Sequence, residues 1–339
     1  MFKLNQPLLQ INDLKTHFYT ERGKVTAVEG VTFHVEEGEI LGLVGESGCG
    51  KSVTSQSILR LFDEKRLVEY EGEIKFQGKD LLSLSQNEMD KIRGNDIAMI
   101  FQDPLSSLNP VFTIGSQIAE SIMLHQKVSK KEAYEKALEM LKLTGIPAPE
   151  KRLHEYPHEL SGGMRQRVMI AIALSCEPKL LIADEPTTAL DVTIQAQILE
   201  LIERLNKELN MGVIFITHDL GVVAELCSRV AVMYLGQIVE EASVEDIFER
   251  PMHPYTKGLM KSVPQLDGDR SKPLHVIEGT VPSLNDIPKG CRFSTRCPFA
   301  DELCFSKQPE LKNYDKRQKV RCWHAEKLAK KEEDSYVES

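Results

Sequence analysis

Two stretches of this chain carry residue types that could do chemistry at their spacing. Gly45, Glu46, Ser47, Gly48, Cys49, Gly50, Lys51 and Ser52 fit the pattern G-x-x-x-x-G-K-[ST]. The β-type run ILGLV feeds this loop and an apolar-periodic segment follows it. Glycines let backbone N–H groups turn inward around phosphate oxygens, and a helix start adds the positive end of its dipole. Lys51 can reach the β- and γ-phosphates, and the Ser52 hydroxyl suits Mg²⁺. Val53 completes this candidate set. The second stretch, LLIADE, reads as a buried strand ending in Asp184 and Glu185. Asp184 stands where a metal-coordinating carboxylate belongs, at a strand's C-terminal end. Glu185 points differently and can face an attacking water as general base.

A third set is all cysteine. Cys291, Cys297, Cys304 and Cys322 follow C-x5-C-x6-C-x17-C. Structural zinc sites usually use closer pairs, about two to four residues apart, and none occurs here. Wide spacing in a loop-rich segment suits an iron–sulfur cluster better. Zinc, and free or disulfide-bonded thiols, remain alternatives. Residues 287–330 hold eleven Lys or Arg against five Asp or Glu, a surplus that suits a negative four-thiolate group or an anionic surface. Cys49 reads as a small residue that fits its loop. Cys176 and Cys227 read as core packing.

The elements that position these residues follow from periodicity. VTAVEGVTFHV and EILGLV read as strands, and Ser52–Phe62 as a helix. Residues 64–102 return to short strands. Ser129 to Glu132 is a capping-box pattern opening a helix to about Leu143. From Ser161 to about Ile247, helices alternate with the buried runs LLIA, VIFIT and VAVM, which predicts a parallel sheet covered on both faces. Residues 251–290 hold six prolines and little periodicity. They predict an extended wrapping segment, with too little apolar pattern to fold by burial alone. The cysteines lie more than 60 residues beyond His218, which predicts a role apart from the phosphate loop. Residues 329–339 predict a disordered tail.

Composition narrows the function. The 339 residues suit about two domains. A net charge of −9 argues against a generally basic nucleic-acid binder. No apolar run approaches the roughly 18 residues of a membrane span, and the first residues lack a signal-peptide pattern, so a cytosolic chain is expected.

Leu160, Ser161, Gly162, Gly163, Met164, Arg165 and Gln166 resemble the signature motif of ATP-binding-cassette (ABC) proteins, with Met164 where Gln is usual. Ser161 is also a good helix N-cap, and its hydroxyl with the Gly162 and Gly163 amides makes an anion site. The resemblance implies an α/β fold: a P-loop core with an antiparallel β subdomain, a helical subdomain at about 103–165, and a cassette over 8–250. It implies that Ser161, Gly162, Gly163 and the D-loop Asp191 serve ATP bound by the opposite cassette. By the same resemblance Phe18 stacks on adenine, with Tyr19 as alternative. Gln102 touches Mg²⁺ or the lytic water, together with Ser52 and Asp184 as metal ligands. His218 holds the γ-phosphate. Six motifs stand in family order over residues 18–218.

A narrower resemblance runs through FQDPLSSLNP, HPYTKGL and GTVPSL to the oligopeptide/dipeptide importer branch, which includes nickel importers. It implies an ATPase subunit working with a paralogous second cassette, two membrane permeases and an extracytoplasmic binding protein, peripheral on the cytoplasmic face. It implies a C-terminal extension over 251–328 whose four cysteines hold a [4Fe–4S] cluster. A soluble ABC-type ATPase of DNA repair, translation or iron–sulfur assembly is the alternative.

Overall fold

A computed structural model describes residues 6–21, 23–102, 107–188, 190–262, 276–314 and 318–329. They fall into two compact units. One gathers residues up to 9, 35–40 and 76–216; the other gathers 10–34, 41–75 and the chain from 217 on.

In the first unit the strands Ile97–Ile100, Leu180–Asp184 and Gly212–Thr217 pair in parallel, with Leu180–Asp184 in the middle. All five residues of Leu180–Asp184 are buried, as expected for a parallel strand covered on both faces. Helices surround them. Ser129 and Glu132 form the predicted capping box ahead of Lys130–Leu143. Helix Ile114–Gln126, absent from the sequence reading, is capped by the Thr113 hydroxyl. Helix Gly162–Leu174 is capped by Ser161. Asp191 caps Val192–Leu209, whose apolar stripe of Ile198, Leu201, Ile202 and Leu205 is buried.

In the second unit Leu9–Thr20 lies between Gly23–Val35 and Val68–Phe76 in one sheet. Ile40–Val44 pairs in parallel with Arg229–Tyr234. The expected parallel sheet gains antiparallel strands at its edge. Arg229–Tyr234 turns back through Leu235 and Gly236 into Gln237–Ser243, antiparallel, and Lys319–Val320 adds antiparallel to that strand. Helix Lys51–Ile58 is shorter than the predicted Ser52–Phe62, because Arg60 takes φ 50°, outside the helical region.

The segment after Pro251 is also corrected. Pro254–Lys261 is a helix, with Pro254 in its first turn and the His253 ring capping it. The segment buries apolar side chains of its own. Met252, Val320 and Ala325 form a core, with Tyr314, Cys322 and Ala329 packed against it. The rings of Tyr234, Tyr255 and Phe293 meet at centroid distances of 4.7–5.5 Å. Buried Glu240 accepts from the N–H groups of Met252 and His253 and from Gln318, and burial raises its carboxyl above the usual range. Ala329 therefore belongs to the folded part, and the rest of the predicted tail lies outside the described residues.

Candidate functional site

The phosphate-type loop has the glycine geometry its motif demands. Gly45, Gly48 and Gly50 take φ of 152°, 76° and 107°. A Cβ on Gly45 would also lie 2.2 Å from the Met233 carbonyl oxygen, so no other residue fits. Lys51 is buried. Its ammonium donates to the carbonyls of Gly45 at 2.7 Å and Glu46 at 3.2 Å, and lies 3.8 Å from the Cys49 sulfur. Burial raises the Cys49 thiol, with Lys51 opposing it, so Cys49 sits here as a small neutral side chain. Ser52 and Val53 are half-buried in the first turn of Lys51–Ile58. The Gly236 N–H donates to the Cys49 carbonyl at 2.7 Å.

Two side chains from far along the chain grip this loop. The Glu46 N–H donates to the Tyr255 hydroxyl at 2.8 Å. The Glu46 carboxylate takes a two-pronged ion pair from Arg296, at 2.6 and 3.0 Å. Sequence reasoning gave neither side chain this role; the signals were the place of Tyr255 in the HPYTKGL run and of Arg296 before Cys297.

In the other unit, Glu185 ends the strand Leu180–Asp184 with φ 47°, a strained conformation of the kind found at functional positions. Its N–H donates to the Ile216 carbonyl at 2.9 Å. Its Oε2 accepts from Gln102 Nε2 at 2.8 Å and from the Thr188 hydroxyl at 3.0 Å. The structure thus brings Gln102 and Thr188 together on Glu185, contacts that the sequence reading did not state. Asp184 is buried. Buried Gln166 donates to the Pro186 carbonyl, tying Gly162–Leu174 to the same corner.

Ser161 and Gly162 are exposed, and a Cβ on Gly162 would meet nothing within 4 Å. The Ser161 hydroxyl accepts from the Met164 N–H at 3.4 Å. This helix start faces open space with its amides available to an anion. Asp191 is exposed and accepts from the Ile194 N–H at 3.0 Å; its D-loop neighbour Ala189 lies outside the described residues. His218 follows the strand Gly212–Thr217 and is exposed. Phe18 is half-buried and meets Phe62 edge-on at 4.9 Å. Its alternative, Tyr19, donates its hydroxyl to Glu69 at 2.6 Å.

The four C-terminal cysteines line one small cavity with Phe293 and His324. Burial pushes the Cys297 thiol up to about 11 and Cys322 up to about 12, and neighbouring thiols add to both. Cys291 and Cys304 are raised by burial too. Among the described residues, the metal-type donors that gather within 4.8 Å of one another are Asp301, Cys304 and His324.

Comparison with known proteins accords with these arrangements. Residues 28–188 match the family described as "ABC transporter", and residues 239–304 match "Oligopeptide/dipeptide transporter, C-terminal region". A probable peptide ABC transporter ATP-binding protein of Sinorhizobium fredii is 57% identical, over 95% of this chain and 96% of its own. The oligopeptide transport ATP-binding protein AppD of Bacillus subtilis is 54% identical, over 93% of this chain and 96% of its own. The dimeric ATP-binding cassette MJ0796, solved with ADP and Pi, superposes with a TM-score of 0.63 at 28% identity, over 70% of this chain and 98% of that one. Among the described residues, no helix is long and apolar enough to cross a membrane. The chain belongs to the ATP-binding, ATP-hydrolysing subunits of ABC transporters, in the oligopeptide/dipeptide transporter branch.

Proposed function

We propose that this chain hydrolyses ATP to power import of di- or oligopeptides. The observation that carries the reading is the Glu185 carboxylate, strained in backbone and fixed by Gln102 and Thr188. A carboxylate held in that way can take a proton from an attacking water. The amides of residues 45–50 and the Lys51 ammonium bind the triphosphate, whose oxygens replace the carbonyls that Lys51 now meets. Ser52, Gln102 and Asp184 would hold Mg²⁺, which neutralises charge on the β- and γ-phosphates when bound. Phe18 stacks on adenine, and His218 contacts the γ-phosphate. Ser161, Gly162, Gly163 and Asp191 serve the nucleotide of an opposing, paralogous cassette; the exposure of Ser161, Gly162 and Asp191 fits that role. The exposed Phe101, Val111, Phe112 and Leu124 offer an apolar surface to two membrane permeases. Peripheral placement on the cytoplasmic face, and delivery of peptide by an extracytoplasmic binding protein, complete the reading. A soluble ABC ATPase of another process is disfavoured by the transporter-type match at residues 239–304.

The four cysteines, which line one small cavity, are read as ligands of a [4Fe–4S] cluster. A cluster would cross-link residues 291–304 to Cys322. Zinc has one specific observation in its favour, the close set of Asp301, Cys304 and His324. Metal analysis of anaerobically purified chain separates them: about four iron per chain supports the cluster, and one zinc without iron replaces it.

Reconstitution with its permeases in vesicles tests the function. ATP-dependent peptide uptake that Glu185→Gln abolishes is the expected result. Uptake indifferent to that substitution would overturn the reading.

A further inference from the structure

The phosphate-type loop contains an acid. Glu46 lies one residue after Gly45, and its carbonyl is 3.2 Å from the Lys51 ammonium. A free carboxylate there would repel a triphosphate carrying several negative charges. Arg296 meets it. Its two terminal nitrogens bond the two Glu46 oxygens at 2.6 and 3.0 Å, the strongest geometry for such a pair. The guanidinium is itself fixed. Its Nε donates to the Glu278 carbonyl at 3.0 Å and one terminal nitrogen to the Ile277 carbonyl at 3.1 Å. Its Cζ lies 5.8 Å from the Tyr234 ring centroid and 6.0 Å from that of Phe293. The Arg296 side chain is 3% exposed. The bond to Glu46 pushes the Arg296 guanidinium above the usual arginine range.

We propose that Arg296, carried by the cysteine-rich extension, is a positioning residue for nucleotide binding: it cancels the Glu46 charge and fixes the phosphate loop in its binding shape. The proposal rests on the phosphate-loop reading above. It makes the extension a part of the nucleotide site. The turn that presents Cys297 presents Arg296 as well, so ordering of that turn and electrostatic readiness of the loop are one event.

The test is titration of Mg-ATP into the full chain carrying Arg296→Gln, Glu46→Gln, or both. Arg296→Gln should weaken binding about tenfold, the scale of one lost charged hydrogen-bonded pair. The loss should shrink at high salt, because screening weakens repulsion. The double variant should bind within about twofold of the parent, because the unpaired charge is gone. A merely structural role for Arg296 predicts no such rescue. Arg321→Ala removes bonds to the Ile238 carbonyl of the strand Gln237–Ser243 and to the Pro309 carbonyl of the extension, and should lower melting temperature without this loss of affinity. If Arg296→Gln fails to fold, Arg296→Lys, which keeps the charge, should retain most of the affinity while Glu46→Gln removes the need for it. Unchanged affinity in Arg296→Gln, or a double variant as weak as the single, overturns the proposal. A parent chain that binds no Mg-ATP would overturn the phosphate-loop reading itself.

Discussion

Two acids, one in each unit, are held in opposite ways. Glu185 is held from its own neighbourhood: Thr188 stands three residues on, and its backbone bonds the adjacent strand. Gln102 grips it from 83 residues away. Glu46 is held from more than 200 residues away, by Tyr255 and Arg296. The first carboxylate is left able to accept protons, and the second is neutralised. The proposed roles put turnover and affinity under separate control, one local and one long-range.

The largest effect should come from breaking the local side. Glu185→Gln keeps shape and removes the base, so turnover in the assembled transporter should fall by about 10²–10⁴, with nucleotide binding kept. Gly45→Ala strikes the loop itself. Its φ of 152° and the 2.2 Å approach to Met233 leave no room for a methyl. A cost of at least about 1–3 kcal/mol is expected, read as loss of Mg-ATP binding and a lower melting temperature. Thr188→Val removes the hydroxyl that donates to Glu185. Turnover should fall about two- to tenfold with affinity unchanged, the scale of one net hydrogen bond. Tyr255→Phe removes the acceptor for the Glu46 N–H and sharpens the contrast from the other side. Affinity should weaken about two- to fivefold while turnover at saturating ATP holds.

Local signals were legible in the sequence and long-range ones were not. The glycine loop, the strand ending in Asp184 and Glu185, and the Ser129–Glu132 box each state their geometry within a few residues. The strand Gln237–Ser243 was hidden by two acids, Glu240 and Glu241, that look solvent-facing. In the fold they are buried against partners from elsewhere, Glu240 on Gln318 and two backbone amides, Glu241 on Arg229 and Lys319. The helix Pro254–Lys261 was hidden by prolines read as breaks, although Pro254 occupies the first turn, where a missing N–H costs nothing. The expected separation of the cysteine segment from the phosphate loop was an inference from sequence distance. Arg296 and Glu46, 250 residues apart, show how little that distance constrains a folded chain. No motif announces a pair whose members are each ordinary where they stand.

The central claim is that affinity depends on the extension while turnover depends on Glu185. Mg-ATP affinity of Glu185→Gln and Cys297→Ser, titrated side by side, tests it most directly. On the proposed ligation of Cys297, Cys297→Ser loosens the turn that presents Arg296 and changes no phosphate-loop residue. Glu185→Gln binding within about twofold of the parent, with Cys297→Ser weakened about fivefold or more, is the predicted result. A Cys297→Ser chain that binds as tightly as the parent, or a Glu185→Gln chain that binds no nucleotide, would contradict it.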